Sequence, residues 1–532
     1  MLVSFSLLAC PICVPGQAPV LPATAKANST PPLWGDLRAG VYEVGFRTVF
    51  RSDRSRTWKS TRSYDGTFSP DLEGRPIQIN LWYPGLPDKS SRRMHIGDYV
   101  DQSAPGEFSE LNSVMKQRNR DDAVGSVPRN EIPALQSAEV NAYRDAPPAR
   151  GHFPVVLYFA GLNAAINSNF ILAEYLASHG YIVASISLIG PSSEQTFQSR
   201  TADDFESSVR DMEFAWSVLQ TEPNVDRTKL ASMGHSVGAI EGVILGLRNA
   251  DVSAVIALDG TYGFQGLSTA LTRSYGYAPE KMRAAFLDLR RAQGAQGNEP
   301  LDFTVVASFR HSDRTLITVE RMHHSDFTSF AALGEQFHAP LPTNYSLNGW
   351  NRETGRAGYE EACRMVLSFL NATTKSTSEA IADIDHEVRH ANGVVLKRMG
   401  AIPPSPNPLE AAALANTQGL DAVKNAFIAS CGENAIASCV DVDRFNTWGY
   451  NLLGQKRPKE ALAVFQLNAW AHPRSANAQD SLADGYLSVN EKESAKRSVE
   501  RAIALAQDDQ ALDAAAKSSF LSEENAKLLQ IK

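Results

Sequence analysis

The chain is short of positive charge: 51 Lys and Arg stand against 59 Asp and Glu, leaving a formal net charge of -8. A phosphate backbone demands a basic patch or stripe, so a nucleic-acid role falls away. Long apolar runs are missing too, because beyond the first few positions no stretch of about 18 apolar residues could span a membrane. Cysteine is sparse at 5 in 532 residues, which excludes a disulfide scaffold. Cys431 and Cys439 bracket "CGENAIASC" and are placed to close a small loop in an oxidising compartment, although spacing alone fixes no geometry. Cys363 reads as buried and reduced. Spacings such as His-Glu-x-x-His are absent, and the Cys-x-x-Cys of Cys10 and Cys13 lies in a leader-like segment. No metal and no organic cofactor is implied.

What is present is chain enough for two or three domains. Residues 1–27, "MLVSFSLLACPICVPGQAPVLPATAKA", pass from an apolar run to small residues with an Ala-x-Ala-like end over Ala23 to Ala27. This form of signal peptide predicts a secreted or periplasmic protein. "LLAC", ending at Cys10, offers lipid attachment as the alternative. Residues 28–372 read as one α/β domain. "GVYEVGFRTVF" and "RPIQINLWYP" alternate as strands, and residues 85–150 form a polar insertion over one edge, read as a surface loop with a lid as the alternative. "FPVVLYFAG", "NFILAEYLASHG" with Gly180 as its stop, and "YIVASISL" then make strand, helix, strand. A helix follows from Thr201, whose pairing with Asp204 predicts a capping box, and "KLASM" and "VSAVIALDG" add strands. Repeated βα units of this kind build a mostly parallel sheet with helices on both faces.

Past residue 372 the sequence reads as a helical linker over 373–439, with polar helix to about 398 and a Pro-rich break, "IPPSPNP". Residues 440–532 show a period of about 34 residues. Phe445, Gly449, Leu452, Ala461, Phe465 and Pro473 fall at tetratricopeptide positions, and Leu482, Ala483, Tyr486, Ala495, Val499 and Ala502 repeat them. The expectation is two helical hairpins and a terminal helix, with Trp448, Leu452, Phe465 and Tyr486 inside. Such a tail would serve a protein partner or self-association.

"KLASMGHSVGAIEG" carries the chemistry. Ser236 stands between Gly234 and Gly238, after a strand and before an apolar helix, which is the setting of a nucleophile elbow. A tight turn there leaves no room for Cβ atoms beside the serine, hence the glycines. A serine hydroxyl needs a base and an orienting acid. Chain order after such an elbow points to an acid in "VIALDGTYG" and a base in "RMHHSDFTSF". Asp259 ends a buried strand. Its rival Asp313 sits in "RHSDR", a connection between the runs "TVVASF" and "TLITVE" too short for a parallel crossover, so Asp313 is expected in a hairpin-like turn. His323 and His324 both remain candidates for the base.

The set "VGFRTV", "LWYP", "GHSVG", "ALDG" and "HSDF" resembles the plasma-type platelet-activating-factor acetylhydrolases and their bacterial relatives, close to the dienelactone hydrolases, over about residues 32–370. The resemblance implies an α/β-hydrolase fold with Ser236 as nucleophile, Asp259 as acid and His324 as base, Phe327 being the aromatic of His-x-x-Phe. It also implies an oxyanion hole from the N–H groups of Val237 and Leu162. In that family's His-Gly-Leu-Gly, Gly161 and Leu162 match, whereas Ala160 replaces the histidine and Asn163 the second glycine. The expected activity is serine-dependent hydrolysis of a small ester or short-acyl phospholipid-like molecule. The alternative is an interaction protein whose helical tail does the work and whose hydrolase domain is a platform; intact Ser, Asp and His candidates argue against it.

Overall fold

The computed structural model describes residues 32–124, 127–292, 300–340, 350–375, 385, 386, 388, 393–510 and 512–531. The expected leader, residues 1–27 with Cys10, lies outside them. The chain divides into two compact units, Met1–Gly400 and Ala401–Lys532.

The first unit is built on one sheet. Its strands are β1 (Glu43–Asp53), β2 (Arg75–Gly85), β3 (Arg92–His95), β4 (Glu139–Arg144), β5 (Phe153–Phe159), β6 (Ile182–Ile186), β7 (Val225–His235), β8 (Val252–Leu258), β9 (Ala285–Arg291), β10 (Arg314–Val319) and β11 (Val394–Met399). Their order is β11-β10-β9-β8-β7-β5-β6-β2-β1-β4-β3. From β6 to β10 every neighbouring pair is parallel, and β2 runs antiparallel to both β1 and β6. This is the strand order of the α/β-hydrolase fold. The order reverses around β5, so the carboxyl ends of β5 and β7 open onto a switch point, where open α/β sheets bind ligands.

Local chemistry explains the central elements. All seven residues of β5, "FPVVLYF", are buried because helices cover both faces of the sheet. Phe170–Ser178 returns the chain to β6 and ends before Gly180, whose φ of +85° a side chain would resist. Ala202–Leu219 starts at the Thr201–Asp204 capping box, and its inward Asp211 takes two hydrogen bonds of 2.7 Å from buried Arg75 of β2.

Four expectations change. Residues 85–150 are no surface loop: β3, β4 and the helices Ile96–Val100, Leu111–Val124 and Ile132–Ser137 extend the sheet past β1 and bury Met94, Ile96, Tyr99, Leu135 and Val140. The apolar run at 304–308 is a short helix, Thr304–Ser308, since a short apolar run suits a buried helix as well as a strand. β10 therefore pairs in parallel with β9, and Asp313 precedes the amino end of β10 instead of lying in a hairpin. The end of the supposed helix to 398 is β11, antiparallel to β10; residues 376–384 of that stretch lie outside the described ones. Finally, the linker 373–439 does not exist as one piece. Residues up to Gly400 belong to the first unit, and the helices Pro408–Gln418 and Leu420–Cys431 place Ala411, Val423 and Phe427 in the core of the second.

In the second unit, helices Val442–Gly454, Pro458–Ala471, Ala476–Ser488, Lys492–Asp508 and Ala514–Ile531 follow one another. Phe465 is fully buried against Gly449 and Gly485, where a Cβ would come within 2.2 and 2.8 Å of its ring. Leu452 is buried, whereas Trp448 and Tyr486 are only partly so. Cys431 and Cys439 form a disulfide, and Cys363 is buried and free. Among the described residues no helix is long and apolar enough to cross a membrane.

Candidate active site

β7 ends at His235, and Ser236 turns the chain with a φ of +57° before the helix Gly238–Arg248 begins. A left-handed backbone at a non-glycine residue is strained and needs support. Ser236 N–H donates to the Leu258 carbonyl of β8 at 3.0 Å, and the Ser236 carbonyl accepts from Ala239 and Thr261 N–H, each at 3.2 Å. The flanking glycines are forced by contact. A Cβ at Gly234 would lie 2.1 Å from the Gly238 carbonyl oxygen, and one at Gly238 2.3 Å from that of Ala160.

Asp259 follows β8, also with positive φ (+46°), and its side chain is fully buried. Oδ2 lies 2.5 Å from His324 Nδ1, and Oδ1 accepts from Arg291 N–H at 3.1 Å. Burial alone would raise its pKa, but the hydrogen bond and charge of His324, with the Arg291 guanidinium 3.5 Å away, outweigh burial and hold it below the usual carboxylate range. His324 Nε2 is 2.7 Å from Ser236 Oγ. The structure thus brings Ser236, Asp259 and His324 together in one hydrogen-bonded line, and leaves Asp313 at the amino end of β10, the opposite end of the strands from Asp259.

The two histidines divide by role. His323 caps the turn His324–Phe327, accepting from Ser325 N–H at 3.1 Å through Nδ1, while Asp326 accepts His323 N–H at 2.6 Å in return. Burial first, and the neighbouring His324 second, push the His323 pKa down to about 4. Asp326, raised by burial to about 6, also accepts from Trp350 Nε1 at 2.8 Å. Phe327 is buried, and its carbonyl takes the Asn169 amide at 3.1 Å.

The turn at Gly161 and Leu162 lies against the elbow: a Cβ at Gly161 would meet His235 Nδ1 at 3.3 Å and Ser236 Cβ at 3.6 Å. Asn163 adopts a φ of +54°, the conformation a glycine would take freely and one that asparagine tolerates better than most residues. That replacement therefore preserves the turn. Val237, the other expected donor, is the residue from which the elbow helix starts.

Residue reasoning missed three supports. His235 is buried and kept neutral, its pKa pushed down to about 3 by burial and then by His324, so its Nε2–H donates to the His324 carbonyl at 3.0 Å. Thr261 Oγ1 stands 3.4 Å from Ser236 Oγ. Arg291, stacked on Phe264, reaches Asp259 from β9. Only the position of His235 inside "GHSVG" could have flagged any of them. Ser236 and His324 open onto a cavity of about 710 Å³, whose other walls include Ile96, Tyr99, Val100, Phe170, Phe330 and Leu333. The insertion supplies the first three. Among the described residues no group of three or more His, Cys, Asp or Glu could hold a metal ion.

Comparison with known proteins finds likenesses in sequence and in fold. Residues 136–285 match the chlorophyllase family, a span that contains Ser236 and Asp259 and stops short of His324. Among solved structures, a ferulic acid esterase from Streptomyces cinnamoneus is similar at 17% identity with a TM-score of 0.47, over 67% of this chain and 96% of that one. No curated protein matches. The sheet order, the elbow and the family match put the first unit among the ester-hydrolysing α/β hydrolases.

Proposed function

We propose that this chain is a serine hydrolase that cleaves a carboxylic ester through a covalent acyl-enzyme. Ser236 Oγ attacks the carbonyl carbon while His324 Nε2 takes its proton, and the oxyanion is received by the N–H groups of Val237 and Leu162. The ester C–O bond breaks, and the alcohol leaves with the proton that His324 returns. Water then gives a proton to His324 and attacks the acyl carbon, and Ser236 leaves as the free hydroxyl. Asp259 orients the imidazole and stabilises its charged form.

The observation that carries the reading is the line Asp259–His324–Ser236 with spacings of 2.5 and 2.7 Å. A largely apolar cavity of about 710 Å³ is of the size that takes a small organic ligand. Arg200 and Arg352 line it as well, and it suits a small ester; a short-acyl, phospholipid-like ester is the form suggested by the acetylhydrolase resemblance. Export is part of the proposal, supported by the Cys431–Cys439 disulfide, since such bonds persist in oxidising compartments. The tail, read as two tetratricopeptide-like hairpins with a terminal helix, serves association with a protein partner or a second copy. The test is fluorophosphonate labelling together with hydrolysis of 4-nitrophenyl acetate and butyrate by the full chain. Ser236→Ala should lose both signals while keeping its melting temperature; a labelled or active Ser236→Ala protein would overturn the assignment.

A further inference from the structure

The insertion and the proposed oxyanion hole meet at one buried side chain. Arg118, on the helix Leu111–Val124, is 2% exposed. Its Nη2 donates to Asn163 Oδ1 at 2.9 Å and to the Thr196 carbonyl at 3.1 Å, its Nη1 donates to the Leu188 carbonyl, and its guanidinium lies 4.9 Å over the Phe197 ring. Asn163 is the residue after Leu162 and sits in left-handed backbone. The same Oδ1 accepts Gln198 N–H at 3.0 Å, and Asn163 Nδ2 donates to the Gln198 carbonyl at 3.1 Å. Gln198 Nε2 then reaches Oε1 of Glu241, on the helix that starts at the elbow, at 3.2 Å. One polar chain therefore runs from the insertion, through the Leu162 turn, to the helix that presents Val237. Both amides expected to receive the oxyanion hang from it.

We infer that Arg118 is a positioning residue of the oxyanion hole: by gripping Asn163 it fixes the left-handed turn that aims Leu162 N–H at the reacting carbonyl oxygen. This rests on the serine-hydrolase reading above. Asn163 fits the turn in place of glycine, but a strained φ persists only where surrounding contacts over-determine it. The guanidinium fork supplies that constraint with three carbonyl-type acceptors, a geometry lysine cannot copy. Arg118 does not line the cavity, so it acts on the transition state and not on substrate capture. The insertion thereby contributes to rate as well as to cavity shape, and a catalytically correct turn depends on that helix being seated.

The experiment measures kcat and KM on 4-nitrophenyl butyrate for the full chain and for Arg118→Met, Arg118→Lys and Asn163→Gly. It adds inhibition by a trifluoromethyl ketone, whose hemiketal oxyanion occupies the same hole. Loosening an oxyanion donor should lower kcat by roughly 10- to 100-fold. KM should stay within about twofold, because no contact with substrate is lost. Affinity for the trifluoromethyl ketone should fall in step with kcat/KM, as expected for a transition-state mimic. In the Asn163→Gly background, Arg118→Met should add little, since the bond it breaks is already gone. Should Arg118→Met fail to fold, Arg118→Lys and Asn163→Gly decide the matter alone. Folded variants that keep kcat within about twofold, or that raise KM at unchanged kcat, overturn the role of Arg118 while an inactive Ser236→Ala leaves the hydrolase reading standing. An active Ser236→Ala would remove that reading first.

Discussion

Asp259→Asn changes one atom, and the structure dictates which way the new amide must face. Oδ1 accepts the Arg291 backbone N–H at 3.1 Å, and only the amide oxygen can keep that bond. The NH2 group is then aimed at His324 Nδ1, where Oδ2 now sits at 2.5 Å. To accept from it, the neutral imidazole must carry its proton on Nε2, the nitrogen facing Ser236 Oγ at 2.7 Å, and it can no longer take the serine proton. The carboxylate that would stabilise imidazolium is lost as well. In triads of this geometry the same exchange costs on the order of 10⁴ in kcat, about 5.4 kcal/mol of transition-state stabilisation. Asp313→Asn should leave kcat within about twofold, because that residue lies at the amino end of β10, away from the carboxyl ends where the reacting atoms meet. Steady-state turnover of 4-nitrophenyl acetate and the rate of fluorophosphonate labelling measure both variants. A folded Asp259→Asn enzyme within about tenfold of wild type, or an equal loss at Asp313, would refute the tautomer argument.

Gly238→Ala should abolish turnover and lower stability by about 1–3 kcal/mol in a urea melt, since its Cβ would overpack the β5 end. The clash is with backbone oxygens at 2.3 and 2.4 Å, which cannot swing aside. Glu241 is buried, and burial raises its pKa to about 8. The folded state therefore holds a proton that the unfolded chain releases near 4.5, so the stability from this group is full below pH 4.5 and is lost as pH rises towards 8. Glu241→Gln should flatten that slope, read as melting temperatures at pH 5.5 and 8; an unchanged slope would show the carboxyl already ionised. Deleting residues 401–532 should leave small-ester kcat within about twofold, because the first unit carries its own core, and should abolish any self-association seen by light scattering of the full chain. A folded, monodisperse truncation without activity would show that the tail completes the site.

The parts of the site that could be read in advance were those set by local chain geometry. "GHSVG" announces a tight turn, "ALDG" a residue at a strand's end, and the capping box at Thr201 a helix start, each from no more than five consecutive residues. What stayed hidden depends on contacts between distant segments. β9, "AFLDLRR", does not look like a buried strand because Asp288 and Arg290 interrupt it; in the fold they pair with each other, and Arg290 also donates to the Gly263 carbonyl at 2.7 Å. Missing β9 in turn made "TVVASF" look like the strand before β10, and the preference for Asp259 over Asp313 rested on a connection that is not there. The insertion was misjudged for the same reason. Its polar sequence conceals an Arg118 whose partners lie 45 to 78 residues away.

Three non-glycine residues with positive φ, Asn163, Ser236 and Asp259, meet at the mouth of the sheet. Each such position costs on the order of 1 kcal/mol relative to a glycine that adopts the same φ freely. Neighbours hold all three, Ser236 through the backbone of Leu258, Ala239 and Thr261, Asp259 through Arg291 and Asn163 through Arg118, so a gene copy released from the need to catalyse would gain stability only where the lost side chain leaves no buried partner unpaired. Selection for heat resistance alone would therefore favour glycine at Ser236 before Asn163 or Asp259, whose side chains hold hydrogen bonds with Arg118, Gln198 and Arg291. Proteins that keep this sheet but carry glycine where Ser236 stands would be read as former hydrolases, stabilised by giving up the reaction.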